Sequence, residues 1–147
     1  MEWNNASVFQ IRADDLDRVK QMADEAPLKR ARICLHGGHD DPVQEMLIAV
    51  RFESNIRPHR QRDKLKSYTW IEGRLRVEFF DPHGHLTDRI EMGSPASGRV
   101  FLCRFPAGRW HTVRALSDVA VFVETISGPY RPEESEWAPW EPPDSSA

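Results

Sequence analysis

The chain has 147 residues, 39% hydrophobic and 29% charged, with five tryptophans, two cysteines and a formal net charge of −3. That length suits one domain around one core and is too short for two, and the composition excludes a disordered or fibrous chain. So small a charge excludes a bulk field that would steer the protein to nucleic acid or to an anionic membrane.

The first residues, "MEWNNASVFQIRADD", lack the basic stretch and apolar core of a secretory leader. The longest apolar run, "MLIAV" at 46–50, falls far short of the ~18 residues of a membrane span. A cytoplasmic protein with no membrane or nucleic-acid partner is expected. Cys34 and Cys103 have no CxxC spacing and read as reduced core residues.

In chain order, "DDLDRVKQMADE" at 14–25 places Leu16, Val19, Met22 and Ala23 at helical spacing behind a cap at Asp14 or Asp15, and Pro27 follows. Beyond that helix, β-branched or alternating runs are broken by turn residues every 8 to 12 residues or so, the rhythm of an all-β sandwich or barrel. Strands are expected at 31–36, 44–52, 55–60, 66–72, 74–80, 86–92, 99–105, 110–116 and 119–126, separated by "HGGHDDP", "EG", "DPHGH", "GSPASG", "PAG" and "LSD". In "RLRVEFF", Leu75, Val77 and Phe79 share one face while Arg74, Arg76 and Glu78 share the other, so one face is wet.

From Gly128 the proline-rich "GPYRPEESEWAPWEPPDSSA" cannot form a central strand, because proline has no N–H for a ladder. Its Trp137 and Trp140 are expected to pack back on the domain. The organisation expected is a helical lead at 1–27, a β-barrel with its wrapped tail at 28–142, and a flexible end at 143–147.

Phosphate loops, nucleophile elbows, HExxH and dinucleotide fingerprints are all missing from the sequence. Arg57, Arg60, Arg62, Lys64 and Lys66 form a basic run, but Asp63 interrupts it, and a solvated edge or a local anion site is the better reading. Among six histidines, the pairs His36/His39 and His83/His85 fall in turns and read as surface residues. His59 and His111 fall on expected strands, where a histidine is either a hydrogen-bonded core residue or a ligand. Both readings stand.

The spacing of two stretches resembles the cupins. His59, Gln61, Lys66 and Gly73 occupy the places of the first cupin motif, and Pro106, Gly108 and His111 match the second. More narrowly, "DDPVQEMLIA", "RPHR", "FFD", "PAGRWHTVRAL", "GPY" and "WAPWEP" resemble the WbuC-type cupins, a bacterial family often associated with surface polysaccharide gene clusters. The resemblance implies a double-stranded β-helix, or jelly-roll barrel, with a site inside its mouth. It also implies that two histidines and a glutamate of the first motif join the histidine of the second on iron, zinc, nickel or manganese.

Two of those four places have changed chemistry. Gln61 is a neutral amide, and Lys66 brings a positive charge. An ammonium about 4 Å from a dication would be repelled by roughly 8 kcal/mol at an effective dielectric of ~20, unless it swings to solvent or loses its proton. Ile48 stands where the family pattern commonly has asparagine, so the pocket floor is expected to be less polar. His59 and His111 alone fall short of the three or four protein ligands of a usual zinc site.

Strand alternation directs His59 and Gln61 on one strand, and Lys66, Tyr68 and Trp70 on the next, into the barrel opposite His111. The function expected is a cupin small-molecule-binding protein with a degenerate metal site, holding no cofactor or a weakly bound divalent metal. Its ligand is expected to be small, polar or anionic, such as a sugar, bound by Gln61, Lys66, Tyr68 and Trp70 and linked to surface polysaccharide metabolism, although Tyr68 and Trp70 read equally as residues that fill the barrel. The alternative is a metal-dependent isomerase, epimerase or oxygenase using His59 and His111. The resemblance further implies a homodimer.

Overall fold

The computed structural model describes residues 8–140. The expected flexible end at 143–147, and Glu141 and Pro142 of the tail motif, lie outside them, as do residues 1–7 of the lead. Helix α1 (Ala13–Glu25) begins at Arg12 rather than at an aspartate cap. Asp15 lies in its first turn, and its carboxylate accepts the Arg12 N–H at 2.8 Å, which satisfies one of the donors a helix start leaves open.

Among the described residues ten strands follow: β1 (Arg30–Cys34), β2 (Val43–Arg51), β3 (His59–Gln61), β4 (Lys66–Glu72), β5 (Leu75–Phe80), β6 (Leu86–Met92), β7 (Leu102–Phe105), β8 (Trp110–Ala115), β9 (Val119–Ser127) and β10 (Ser135–Trp137). They form two five-stranded sheets, ordered β1-β2-β9-β4-β7 and β10-β3-β8-β5-β6, with antiparallel pairing throughout. This is the all-β architecture expected from the strand rhythm, in the jelly-roll form that the cupin resemblance implies.

Two expected strands are shorter than anticipated. The run at 55–60 pairs only from His59, since Pro58 has no N–H to contribute. The run at 99–105 pairs in its named strand only from Leu102, after a 3₁₀ turn at Pro95–Ser97. The tail contributes β10, which pairs only with β3, at a sheet edge, where the prolines on either side cost no ladder bond.

Alternation along β2 and β9 divides the apolar residues between two clusters. Leu47, Ala49 and Val121 face outward and are covered by Val19 and Ala23 of α1, together with Ile33. Val50, Ala120 and Phe122 face inward and meet Tyr68, Leu75, Val77, Phe79, Phe105 and Val113 between the sheets. Ile48 packs at the margin of this inner cluster.

Gly73 closes the β4–β5 turn at φ +77°, and a Cβ there would lie 2.4 Å from the Val119 carbonyl oxygen, so only glycine fits. Gly84 leaves room for the Trp140 ring, whose nearest atom would lie 2.7 Å from an added Cβ. Trp140 therefore packs back as expected, edge-on to Trp110 at 5.1 Å between centroids. Trp137 does so only in part: its ring lies 5.5 Å from that of His59, yet the residue remains 55% exposed.

Cys34 and Cys103 are both free thiols. They stand on the two opposite edge strands of one sheet, β1 and β7, too far apart to bond.

Candidate functional site

Register brings the site together. His59 on β3 is paired with His111 on β8, which is paired in turn with Phe79 on β5, and Trp137 flanks His59 from β10. The result is a row of rings across the inner face of one sheet, with His59 and His111 centroids 4.5 Å apart. On the facing sheet the corresponding row runs Cys34, Met46, Glu124, Tyr68 and Cys103. Lys66 lies one inward position from Tyr68 along β4.

Both imidazoles are held by backbone. Nδ1 of His111 lies 2.8 Å from the Arg109 carbonyl oxygen, and Nδ1 of His59 lies 3.0 Å from that of Arg57. A carbonyl only accepts, so Nδ1 carries the proton in each ring, and Nε2 is left as the acceptor. Lys66 supplies the donor at His111: its Nζ donates to Nε2 at 3.1 Å. The same nitrogen lies 3.5 Å from Oε1 of Glu124.

The Lys66 side chain is 3% exposed and that of Glu124 14%, so the pair is shielded from water. Burial pushes the Lys66 ammonium down from its ordinary value, and Glu124 opposes the shift. Burial, followed by the Lys66 charge, pushes the His59 imidazole down to about 4. The same two causes hold His111 well below its ordinary range. Tyr68 is pushed up, first by burial and then by the Glu124 carboxylate. Two neutral imidazoles and a neutral phenol thus surround the Lys66–Glu124 pair.

A cavity of about 350 Å³ opens beside this cluster, between the β1-β2-β9 face and the tail. Gln61 lines it from β3, Glu124 from β9, Cys34 and Met46 from the first two strands, and Tyr130 and Ser135 from the tail. Of the expected ligand-binding residues, Gln61 is therefore on the cavity wall, and Lys66 reaches it only through Glu124.

Tyr68 and Trp70 do not line this cavity. Tyr68 is 1% exposed and packed against Phe105 and Phe122. Trp70 packs on the inner cluster and donates its indole N–H to the Gly73 carbonyl at 2.6 Å. Both fill the barrel, where period-two alternation fixes direction but not depth.

Glu124 was missed by the sequence reading, although a signal existed. It is the one charged residue in "VAVFVETI", and it shares inward parity with Ala120 and Phe122.

Four residues of the basic run, Arg57, Arg60, Arg62 and Lys64, engage the tail. Arg57 donates to the Ala138 carbonyl at 2.7 Å, Arg60 and Arg62 both engage Glu136, and Lys64 lies 3.1 Å from Glu134 while donating to the Pro129 carbonyl at 3.0 Å. It fastens the tail along the barrel.

A divalent metal does not fit this donor set. Nε2 of His111, the atom that would bind it, accepts from Lys66. Gln61 offers only a neutral amide, and among the described residues no three of His, Cys, Asp and Glu come together as a ligand group. Likewise, no helix among the described residues is long and apolar enough to cross a membrane.

Comparison with known proteins agrees with this architecture. The family described as "Domain of unknown function (DUF6016)" matches residues 11–92. No curated protein matches the sequence. Among solved structures, a dTDP sugar isomerase from Desulfovibrio desulfuricans is similar with a TM-score of 0.57 and 23% identity over 67% of this chain and 66% of that one. A protein from Shewanella oneidensis is similar at 0.56 and 17% identity over 67% and 63%. A mutant of Bacillus subtilis oxalate decarboxylase is similar at 0.53 and 18% identity over 66% and 24%.

The matched part is less than two thirds of each of these neighbours' own length. At such identities the likeness establishes the fold alone, and that fold is the cupin jelly-roll.

Proposed function

We propose that this chain, which belongs to the DUF6016 family, is a cupin small-molecule-binding protein that holds a sugar-sized, hydroxylated ligand in the cavity beside Glu124 without a divalent metal. One observation carries the reading: Lys66 directs its ammonium inward, 3.1 Å from His111 Nε2, at the place where the resemblance implies a glutamate ligand. The positive charge that a metal would supply is provided there by the chain itself.

The cavity volume of about 350 Å³ lies at the lower end of the range for small-molecule sites, roughly 300–1,000 Å³. Gln61 and Gln44 offer amides, and Tyr130 and Ser135 offer hydroxyls, on a wall that also has thiol and thioether surface from Cys34 and Met46. Such a mixture suits a polyol, whose hydroxyls need paired donors and acceptors and whose C–H faces need apolar contact. The link to surface polysaccharide chemistry rests on the WbuC-type motifs of the sequence, and a sugar ligand accords with it.

The test combines metal analysis with ligand titration. Protein purified without chelators is expected to carry well under one transition metal per chain. Calorimetric titration with a panel of monosaccharides and their derivatives is expected to find binding that Gln61→Trp, which fills the cavity, removes. A stoichiometric metal, or binding indifferent to Gln61→Trp, overturns the reading.

A further inference from the structure

We infer that the cavity's ligand carries an anionic group, a carboxylate or a phosphate, and that Arg32 is the residue that anchors it. The inference rests on the cavity reading above and specifies its ligand class.

The cavity wall carries the cations Arg32, Lys64 and Arg131 and the carboxylates Glu124 and Glu134. Behind Glu124 the buried ammonium of Lys66, 3.5 Å away, already matches that carboxylate charge for charge. Lys64, 3.1 Å from Glu134, matches the second. Arg131 lies 3.7 Å from the same Glu134 and is left without a carboxylate of its own.

Arg32 has no carboxylate partner among the described residues; its guanidinium meets only the Met46 sulfur, at 3.8 Å. Three cations on the wall, together with Lys66 behind Glu124, therefore set four positive charges against two carboxylates, in a protein whose net charge is −3. A local excess of two positive charges against the overall sign is a focused field, and low-dielectric walls strengthen it.

Placement supports Arg32 over Arg131 as the anchor. Arg32 stands on β1, in the same inward parity as Cys34, which also lines the cavity, and the strand backbone sets its direction. A guanidinium presents parallel N–H donors that match the two oxygens of a carboxylate or phosphate, so it positions the group as well as attracting it. A neutral sugar would leave that fork unanswered.

The experiment is calorimetric titration at low ionic strength with three probes: glucose, glucuronate and glucose 6-phosphate. The anionic probes are expected to bind at least tenfold more tightly than glucose, and the tighter of the two identifies carboxylate or phosphate as the source of charge. Arg32→Gln is expected to weaken the anionic probes about tenfold more than it weakens glucose, while Arg32→Lys retains part of the preference. Unaltered thermal melting of both variants confirms that the fold is intact.

If glucose binds as tightly as the anions and Gln61→Trp abolishes all three, the anion inference fails and the cavity reading survives. If an anionic probe binds wild type, Gln61→Trp and Arg32→Gln equally, both fail. If no probe binds at millimolar concentration, both fail as well.

Discussion

The Lys66 ammonium and the His111 imidazole meet at 3.1 Å in the interior of the barrel, with Nε2 of the histidine as the acceptor. Their residues come from different sheets and lie 45 positions apart in the chain. This contact gives the interior its own cation and leaves Glu124 as the counter-charge that faces the cavity.

Removing that cation alone strands a carboxylate. Lys66→Met is expected to destabilise the protein by about 3 kcal/mol, because breaking a buried pair from one side leaves an uncompensated charge. Combining it with Glu124→Gln is expected to recover most of that loss, since neither charge is then left alone. A double-mutant cycle by urea denaturation measures the coupling; additive effects would mean that the two side chains do not act as a pair.

Reversing the charge at the same position is expected to create metal affinity. Lys66→Glu places a carboxylate beside His111 and close to His59, giving three donors of types that zinc and nickel accept. Titration with zinc is expected to find one tight site per chain in the variant and none of comparable affinity in the wild type. Equal affinity in both would show that Lys66 does not guard the position.

Acid is expected to destabilise the fold over a defined window. An unfolded histidine titrates near 6.5, whereas His59 is held to about 4 and His111 is also held well below its ordinary value. Between those values the unfolded chain takes up protons that the folded chain does not, so stability falls as pH drops from about 6.5 to about 4. It is fully present above that range. Urea midpoints at pH 7.5, 6 and 4.5 are expected to decline in that order, and His59→Gln is expected to reduce the slope. A flat profile would mean that the imidazoles are not buried as neutral groups.

The tail is held by an apolar contact and by exposed ion pairs, and the two should respond differently to salt. Trp140→Ala, which removes the ring packed on Trp110 and Gly84, is expected to cost about 2 kcal/mol at any ionic strength. Glu136→Gln releases the pairs with Arg60 and Arg62, and its effect is expected to shrink as salt is raised, because exposed charges are screened. Tryptophan fluorescence across a salt series follows both. A salt-independent Glu136→Gln effect would contradict this division.

Much of the architecture was legible in local pattern. Alternation in "RLRVEFF" assigned Leu75, Val77 and Phe79 to the core, where they are found, and the glycine after "WIE" marked a turn that Gly73 makes at positive φ. The prolines of the tail excluded a central strand, and β10 is an edge strand. These features follow from backbone sterics and side-chain periodicity, which act over a few residues and so are written in the chain directly.

The candidate site was only half legible. Motif spacing gathered His59, Gln61, Lys66 and His111, and alternation directed Lys66 inward. Whether an inward side chain fills the barrel or meets a cavity depends on depth and on what stands opposite, which is why Tyr68 and Trp70 proved to be packing residues. Glu124 and Arg32 became site residues only when β9 and β1 were laid beside β4 and β2 in register. Likewise the basic run looked like an edge until its partners at 134–138 were brought to it. Sequence by itself determined which residues point inward, since that is a local property of a strand. Tertiary structure decided which charges face one another, because Coulomb interactions and burial depend on distances across sheets that no local pattern encodes.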